Sequence, residues 1–310
     1  MGGPGIGVPR SVHLGNTRHT DHKGRSTCFV RSGAGHLHDP VRGPRPRQDP
    51  HGRFAWHDRV TPCPCALPAV LQKEGGVEPR ASLERLGNPE KARVFQRFFR
   101  TGPGQYGEGD VFRGITVPEL RGLAKIHKNL PPEDTAQLLD SRFHEDRLLA
   151  LFILIGHFRK GDAQGKEGIY NLYLDKTHRI NNWDLVDASA EHIPGAFLWD
   201  KDRAPLYALS LSQSLWERRI SIIATFHFIR RGDFADTLSI AHNLLTDRHD
   251  LIHKAVGWML REVGKRSMEA EEAFLREHCL TMPRTMLRYA IEKFPDDLRR
   301  CYMKGVLPSA

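Results

Sequence analysis

Three positions in this chain hold side chains that an ordinary helical core would not select. Trp258 lies in LIHKAVGWMLREVGK (251–265). Wound as an α-helix, Ile252, Ala255, Val256, Met259 and Val263 form a core stripe, whereas Trp258 aligns with Lys254, Arg261 and Lys265. An indole on a cationic stripe suits a surface that grips phosphates and offers an aromatic face to a base. An indole half-buried by a neighbouring helix, beside solvated cations, is the plain alternative. Arg219 projects into the middle of an apolar face made by Leu215, Ile222, Ile223, Phe226 and Ile229. An arginine there needs a carboxylate or phosphate: it reaches a phosphate, orients a catalytic carboxylate, or closes a structural ion pair. The third place is NNWDLVD (181–187), where Asn181 or Asn182 caps a helix and Asp184 suits its dipole. Trp183 and Asp187, at i and i+4, share a face beside the Leu185, Val186, Ser189 and Ile193 core stripe. A carboxylate next to an indole suits a cationic ligand. A tryptophan wedged between helices and an aspartate paired with Arg219 would use the same residues.

The elements that must position these groups are helices. Asn88-Pro89 opens one, with Val94, Phe95, Phe98 and Phe99 as its apolar face, and Thr116-Val117-Pro118-Glu119 opens another after a Gly-rich turn at 101–109. Periodicity predicts further helices near 132–140, 144–160, 165–175, 183–193, 203–213, 215–231, 234–246, 249–265, 268–279 and 284–294. No run alternates as a strand would, so the class is all-α. An internal echo adds an architecture: HFRKGD (157–162) resembles FIRRGD (228–233), 228 − 157 = 71 residues on, about twice a two-helix repeat of roughly 35–45 residues. Stacked helix pairs of that length make an α-solenoid with a concave surface. At the same offset Leu148 is the counterpart of Arg219, so one arginine stands where the repeat otherwise places leucine.

The 310 residues carry a formal net charge of +9, which favours a polyanionic partner, nucleic acid ahead of an anionic membrane. Five cysteines (Cys28, Cys63, Cys65, Cys279, Cys301) form no regular framework and point to a reducing compartment. No signal-peptide core is evident, and the longest apolar run, Leu148 to Gly156, is too short for a bilayer of roughly 30 Å. A cytoplasmic location is expected, nucleoid-associated in a prokaryote. Residues 1–77, rich in Gly, Pro, His and Arg, are expected to be disordered or a non-native extension, and the helical domain to cover 82–305. Cys63 and Cys65, near His57, lack the second pair that zinc spacing requires.

With NNWDLVD (181–187), WERRISII (216–223), HDLIHKAVGWMLREVGK (249–265) and MPRTMLRYAIEKF (282–294) in this order, the chain from about Lys91 to Met303 resembles the DNA alkylation repair family, the AlkD-like glycosylases. The resemblance implies a HEAT-like α-solenoid clasping duplex DNA in a concave basic face. It also implies hydrolysis of the N-glycosidic bond of N3- or N7-alkylated purines without metal or organic cofactor. Carried over by motif, the catalytic set is Asp187, Trp183, Trp258 and an arginine, Arg219 in preference to Arg218. Lys254, Arg261, Lys265, Arg284, Arg288 and Arg218 are expected to hold the DNA backbone, and the protein to act as a monomer. Two other classes compete. One is a non-catalytic helical-repeat scaffold, and the other is a glycosylase with lyase activity that would use Lys254 as amine nucleophile.

Overall fold

The protein, as a computed structural model, is described over residues 78–306. The expectations for residues 1–77, including the Cys63/Cys65 pair, fall outside the described residues.

Helix starts follow their capping chemistry. α1 (Pro79–Leu86) begins a little before the expected 82, on a proline at the first turn. α2 (Pro89–Phe98) starts where Asn88 accepts the backbone N–H groups of Glu90 and Lys91, both at 3.0 Å. α3 (Val117–Ile126) opens on the Thr116/Glu119 capping box. The chain continues through α4 (Pro132–Leu139), α5 (His144–Lys160), α6 (Ala163–Asp175), α7 (Trp183–Ser189), α8 (Ala204–Ser210), α9 (Leu215–Ala224) and α10 (Phe226–Ile229). It ends with α11 (Ala235–Asn243), α12 (Asp250–Gly264), α13 (Met268–His278), α14 (Arg284–Ala290) and α15 (Asp296–Lys304). Among the described residues there is no strand, only an isolated bridge between Val111 and Phe143.

Helices α5, α7, α9, α12 and α14 lie side by side in chain order, beginning at His144, Trp183, Leu215, Asp250 and Arg284. The step is about 35 residues, the length of a helix pair. Against this row pack α4 and α6 on α5, α8 on α9, and α11 and α13 on α12. The architecture is an all-α solenoid whose core lies between the two rows. The stripe Ile252, Ala255, Val256, Met259 and Val263 is completely buried there, and Leu148, the counterpart of Arg219, is buried too. Gly257 sets the closest approach, since a Cβ at that position would meet the Met286 carbonyl at 2.4 Å. That lets α14 lie directly on α12.

Four expectations need correction. Val94 does not belong to the apolar face of α2, being 53% exposed, whereas Phe99 is buried. The helix expected over 183–193 stops at Ser189 and continues as a π-turn, Glu191–Gly195. Pro194 lacks the N–H that would bond the Ala190 carbonyl, and Gly195 N–H takes that carbonyl instead at 2.9 Å. The helix expected over 215–231 breaks at Thr225, whose hydroxyl bonds back to the Ile222 carbonyl at 2.7 Å. α15 escaped the periodicity because Tyr302 is the one residue it buries. The echoed HFRKGD and FIRRGD do both end a helix, but by different geometry: Gly161 is extended (φ −68°), while Gly232 is left-handed (φ 80°), a conformation that favours glycine.

Where α12 turns into α13, the Glu271 carboxyl lies over Gly264, whose absent Cβ would sit 1.6 Å from it. Glu271 is 1% exposed and its Oε1 has no hydrogen-bond partner. Burial pushes its pKa up to about 9, with nearby Glu272 and Glu262 adding to the effect against Arg261. An acid raised in the folded state loses stability as pH climbs from its unfolded value of about 4.5 to about 9. Glu271→Gln is therefore expected to raise the melting temperature at pH 8 and to make little difference at pH 4. Melting curves of both proteins across that range test this, and a gap that narrows with rising pH would contradict it.

Candidate functional site

Asp187 sits on α7 and Arg219 on the neighbouring α9, and they form a forked pair: Nε donates to Oδ1 and Nη2 to Oδ2, each at 2.8 Å. The third donor of the guanidinium, Nη1, bonds the Leu251 carbonyl at the start of α12 at 2.5 Å. Arg219 thus spans three consecutive helices of the row. Its side chain is 6% exposed while that of Asp187 is 18% exposed, so the carboxylate is the part of the pair that solvent reaches. A bidentate arginine fixes the orientation of both oxygens. The arginine that pairs with Asp187 is Arg219. Arg218 instead bonds Asp247 at 2.6 Å and the Ser212 and Gln213 carbonyls, both at 2.9 Å.

Trp183, one turn before Asp187, stacks on Phe99 at 5.3 Å and meets Phe98 edge-on at 6.0 Å. Phe99 in turn stacks on Phe112 at 4.9 Å, and Phe112 on the His144 ring at 4.5 Å. Beneath this stack lies a buried ionic lattice. His144 bonds Asp110 at 3.1 Å and Asp184 at 2.8 Å, Arg147 pairs with Asp110 at 2.5 Å, and Asn182 bonds Asp110 at 3.2 Å. Burial alone would depress the His144 pKa, but Asp184 and Asp110 more than reverse this and hold it up at about 9. Asp184 therefore does more than complement a helix dipole: with Asp110 and His144 it ties α7 to the head of α5 and to the segment between α2 and α3.

Sequence reasoning missed Tyr106, in the Gly-rich turn. Its ring meets Trp216 edge-on at 6.1 Å, and its hydroxyl accepts a hydrogen bond from the Trp183 indole. Burial raises its pKa, and it feels the charges of Arg100, Asp184 and Lys254. A lone tyrosine among Gly104, Gly107 and Gly109 was the available signal. Trp258 is half-buried on α12 and packs on Phe226 at 5.9 Å.

The basic residues expected to hold the backbone prove heterogeneous. Lys254 pairs with Asp250 at 2.6 Å and Lys265 with Glu262 at 2.7 Å. Arg261 is largely buried in an ion pair with Glu292, away from an exposed stripe. Arg284 is exposed and bonds the Met303 carbonyl at 2.6 Å, and Arg288 is exposed. Among the described residues no three His, Cys, Asp or Glu side chains are grouped to hold a metal, and no helix is long and apolar enough to cross a membrane.

Fold and site together describe an α-solenoid that holds an oriented, accessible carboxylate beside aromatic rings. The model of the DNA alkylation repair enzyme family matches residues 80–294, and the chain belongs to that family. Its place is thus in DNA repair, with DNA as partner. A predicted DNA alkylation repair enzyme from Enterococcus faecalis has a similar solved structure. The TM-score is 0.53 at 18% identity, covering 68% of this chain and 97% of that one, a likeness of fold. A comparison with curated proteins finds no match.

Proposed function

We propose that the chain is a monofunctional DNA glycosylase of HEAT-repeat type, acting as a monomer. It hydrolyses the N-glycosidic bond of N3- and N7-alkylated purines in duplex DNA, the first step of base excision repair. Alkylation leaves the purine cationic and already a good leaving group, so departure needs little acid. The C1′–N bond breaks with its electron pair going to the base, which leaves neutral. Positive charge then develops on the sugar. Asp187 stabilises that charge and orients the water that adds to C1′, whose proton passes to the carboxylate or to solvent. Trp183 and Trp258 flank the cationic nucleotide. Arg219 keeps the carboxylate ionised and aimed.

The single observation that supports this reading best is the forked Arg219–Asp187 pair, with the arginine buried and the carboxylate partly exposed. The test is release of free base from duplexes carrying N7-methylguanine or N3-methyladenine, with undamaged duplex as control. Released purine and an abasic strand left unbroken are expected. DNA binding with no release would replace the enzyme by a scaffold, and strand cleavage coupled to release would indicate a lyase.

A further inference from the structure

A second set of cationic side chains lies on successive, contacting elements of the solenoid. Arg121 lies on α3, Arg159 in the last turn of α5, Arg230 and Arg231 just after α10, and Arg266 just after α12; all are exposed. The elements bearing them, with the π-turn Glu191–Gly195 between α5 and α10, neighbour one another in succession. All but Arg159 lie against aromatic rings. Arg121 covers Phe152 at 4.7 Å, Arg230 covers Phe226 at 4.5 Å with Arg266 at 5.9 Å from the same ring, and Arg231 covers Trp199 at 5.2 Å.

Carboxylates do not balance this charge. Glu191, nearly buried, is bound by Arg230 at 2.9 Å, and Glu262 is shared between Lys265 and Arg266. Two histidines register the surplus. Burial first, and then the surrounding arginines, bring His192 and His227 down to about 4, so both are neutral at pH 7. On α5, one turn before Arg159, a Cβ at Gly156 would meet nothing within 4 Å, so there is open space beside the helix backbone there.

We infer that this arginine row is a phosphate track for a double-stranded nucleic acid, and that it, rather than the paired Arg218 and Arg261, is the principal electrostatic grip on the DNA backbone. Adjacent packed helices are roughly 8–10 Å apart, so the row runs for about 30 Å. A compact anion would engage one or two guanidiniums and leave the rest repelling one another. A duplex carries one charge per roughly 1.7 Å of axis and meets every arginine in any register. Stacked guanidiniums are also already ordered, so little side-chain entropy is lost on contact. The track deepens the proposed function and takes the identity of its polyanion from it.

The experiment measures affinity for an undamaged duplex of about 20 base pairs over a salt series from about 50 to 200 mM. Arg121→Gln with Arg159→Gln is the informative variant, because it leaves the Arg230–Glu191 pair intact. Arg299→Gln with Arg300→Gln, on α15, serves as control. Loss of two phosphate contacts should lower the slope of log K against log salt by about 1.8, with the control unchanged. An unchanged slope in a variant that melts like the parent overturns the track, as does a parent that ignores duplex DNA and binds an acidic protein or single-stranded RNA instead. Base release is read separately at saturating protein. No release by a parent whose slope still responds to the variant rejects the glycosylase and keeps the track.

Discussion

Asp187→Asn is expected to lower single-turnover base release by about 10²–10³, or roughly 3–4 kcal/mol, while leaving DNA affinity near that of the parent. Asparagine keeps the shape but not the charge that would stabilise a developing oxocarbenium ion. The same substitution disturbs Arg219, which is 6% exposed and gives two hydrogen bonds to the carboxylate. An arginine left unpaired in such a place can cost about 3–5 kcal/mol, so a melting shift accompanies the rate loss and must be separated from it. The double variant Asp187→Asn with Arg219→Met does this, because it removes the charge and its partner together. If Asp187 acts on the sugar, the double variant recovers melting temperature and stays inactive. If the pair is purely structural, stability and base release recover together. Normal release by a folded Asp187→Asn protein would remove Asp187 from the chemistry.

The Asp187–Arg219 pair was legible in the sequence because an arginine on an apolar helical face demands a partner, and one carboxylate stood off the core stripe of a nearby helix. The choice of Arg219 over Arg218 followed from the same demand: Arg218 lies one residue off that face and finds Asp247 instead. The platform beneath Trp183 was not legible. Phe98 and Phe99 read as the apolar face of α2 alone, and nothing local says that Phe99 stacks on an indole 84 residues further on. The buried run His144, Glu145, Asp146 and Arg147 had the composition of a solvated helix start, whereas tertiary contacts bury all four. The arginine row lay in plain view in HFRKGD and FIRRGD. Cations at helix ends suit the helix dipole, and that local reason hid their common surface. The elements themselves were legible wherever an apolar stripe was long, and were missed at α15, where one residue is buried.

His144→Gln is expected to destabilise the protein strongly at pH 6 and weakly near pH 10. His144 is fully enclosed, its two ring nitrogens face Asp110 and Asp184, and its pKa stands at about 9 against an ordinary 6.5. Because the folded value is the higher one, the stabilisation is complete below about 6.5 and fades as pH rises through about 9. The difference corresponds to about 3 kcal/mol. Melting curves of parent and variant from pH 6 to pH 10 should therefore converge toward the alkaline end. Curves that diverge there would mean that His144 is neutral in the folded protein. The consequence for the site follows from the stack: the His144 ring supports Phe112, Phe112 supports Phe99, and Phe99 carries Trp183, while Asp184 anchors the first turn of α7. Loosening this stack moves the indole relative to Asp187 without touching either residue. His144→Gln should accordingly lower base release at pH 6 even well below its melting temperature. Unaltered release there would confine the ionic lattice to stability.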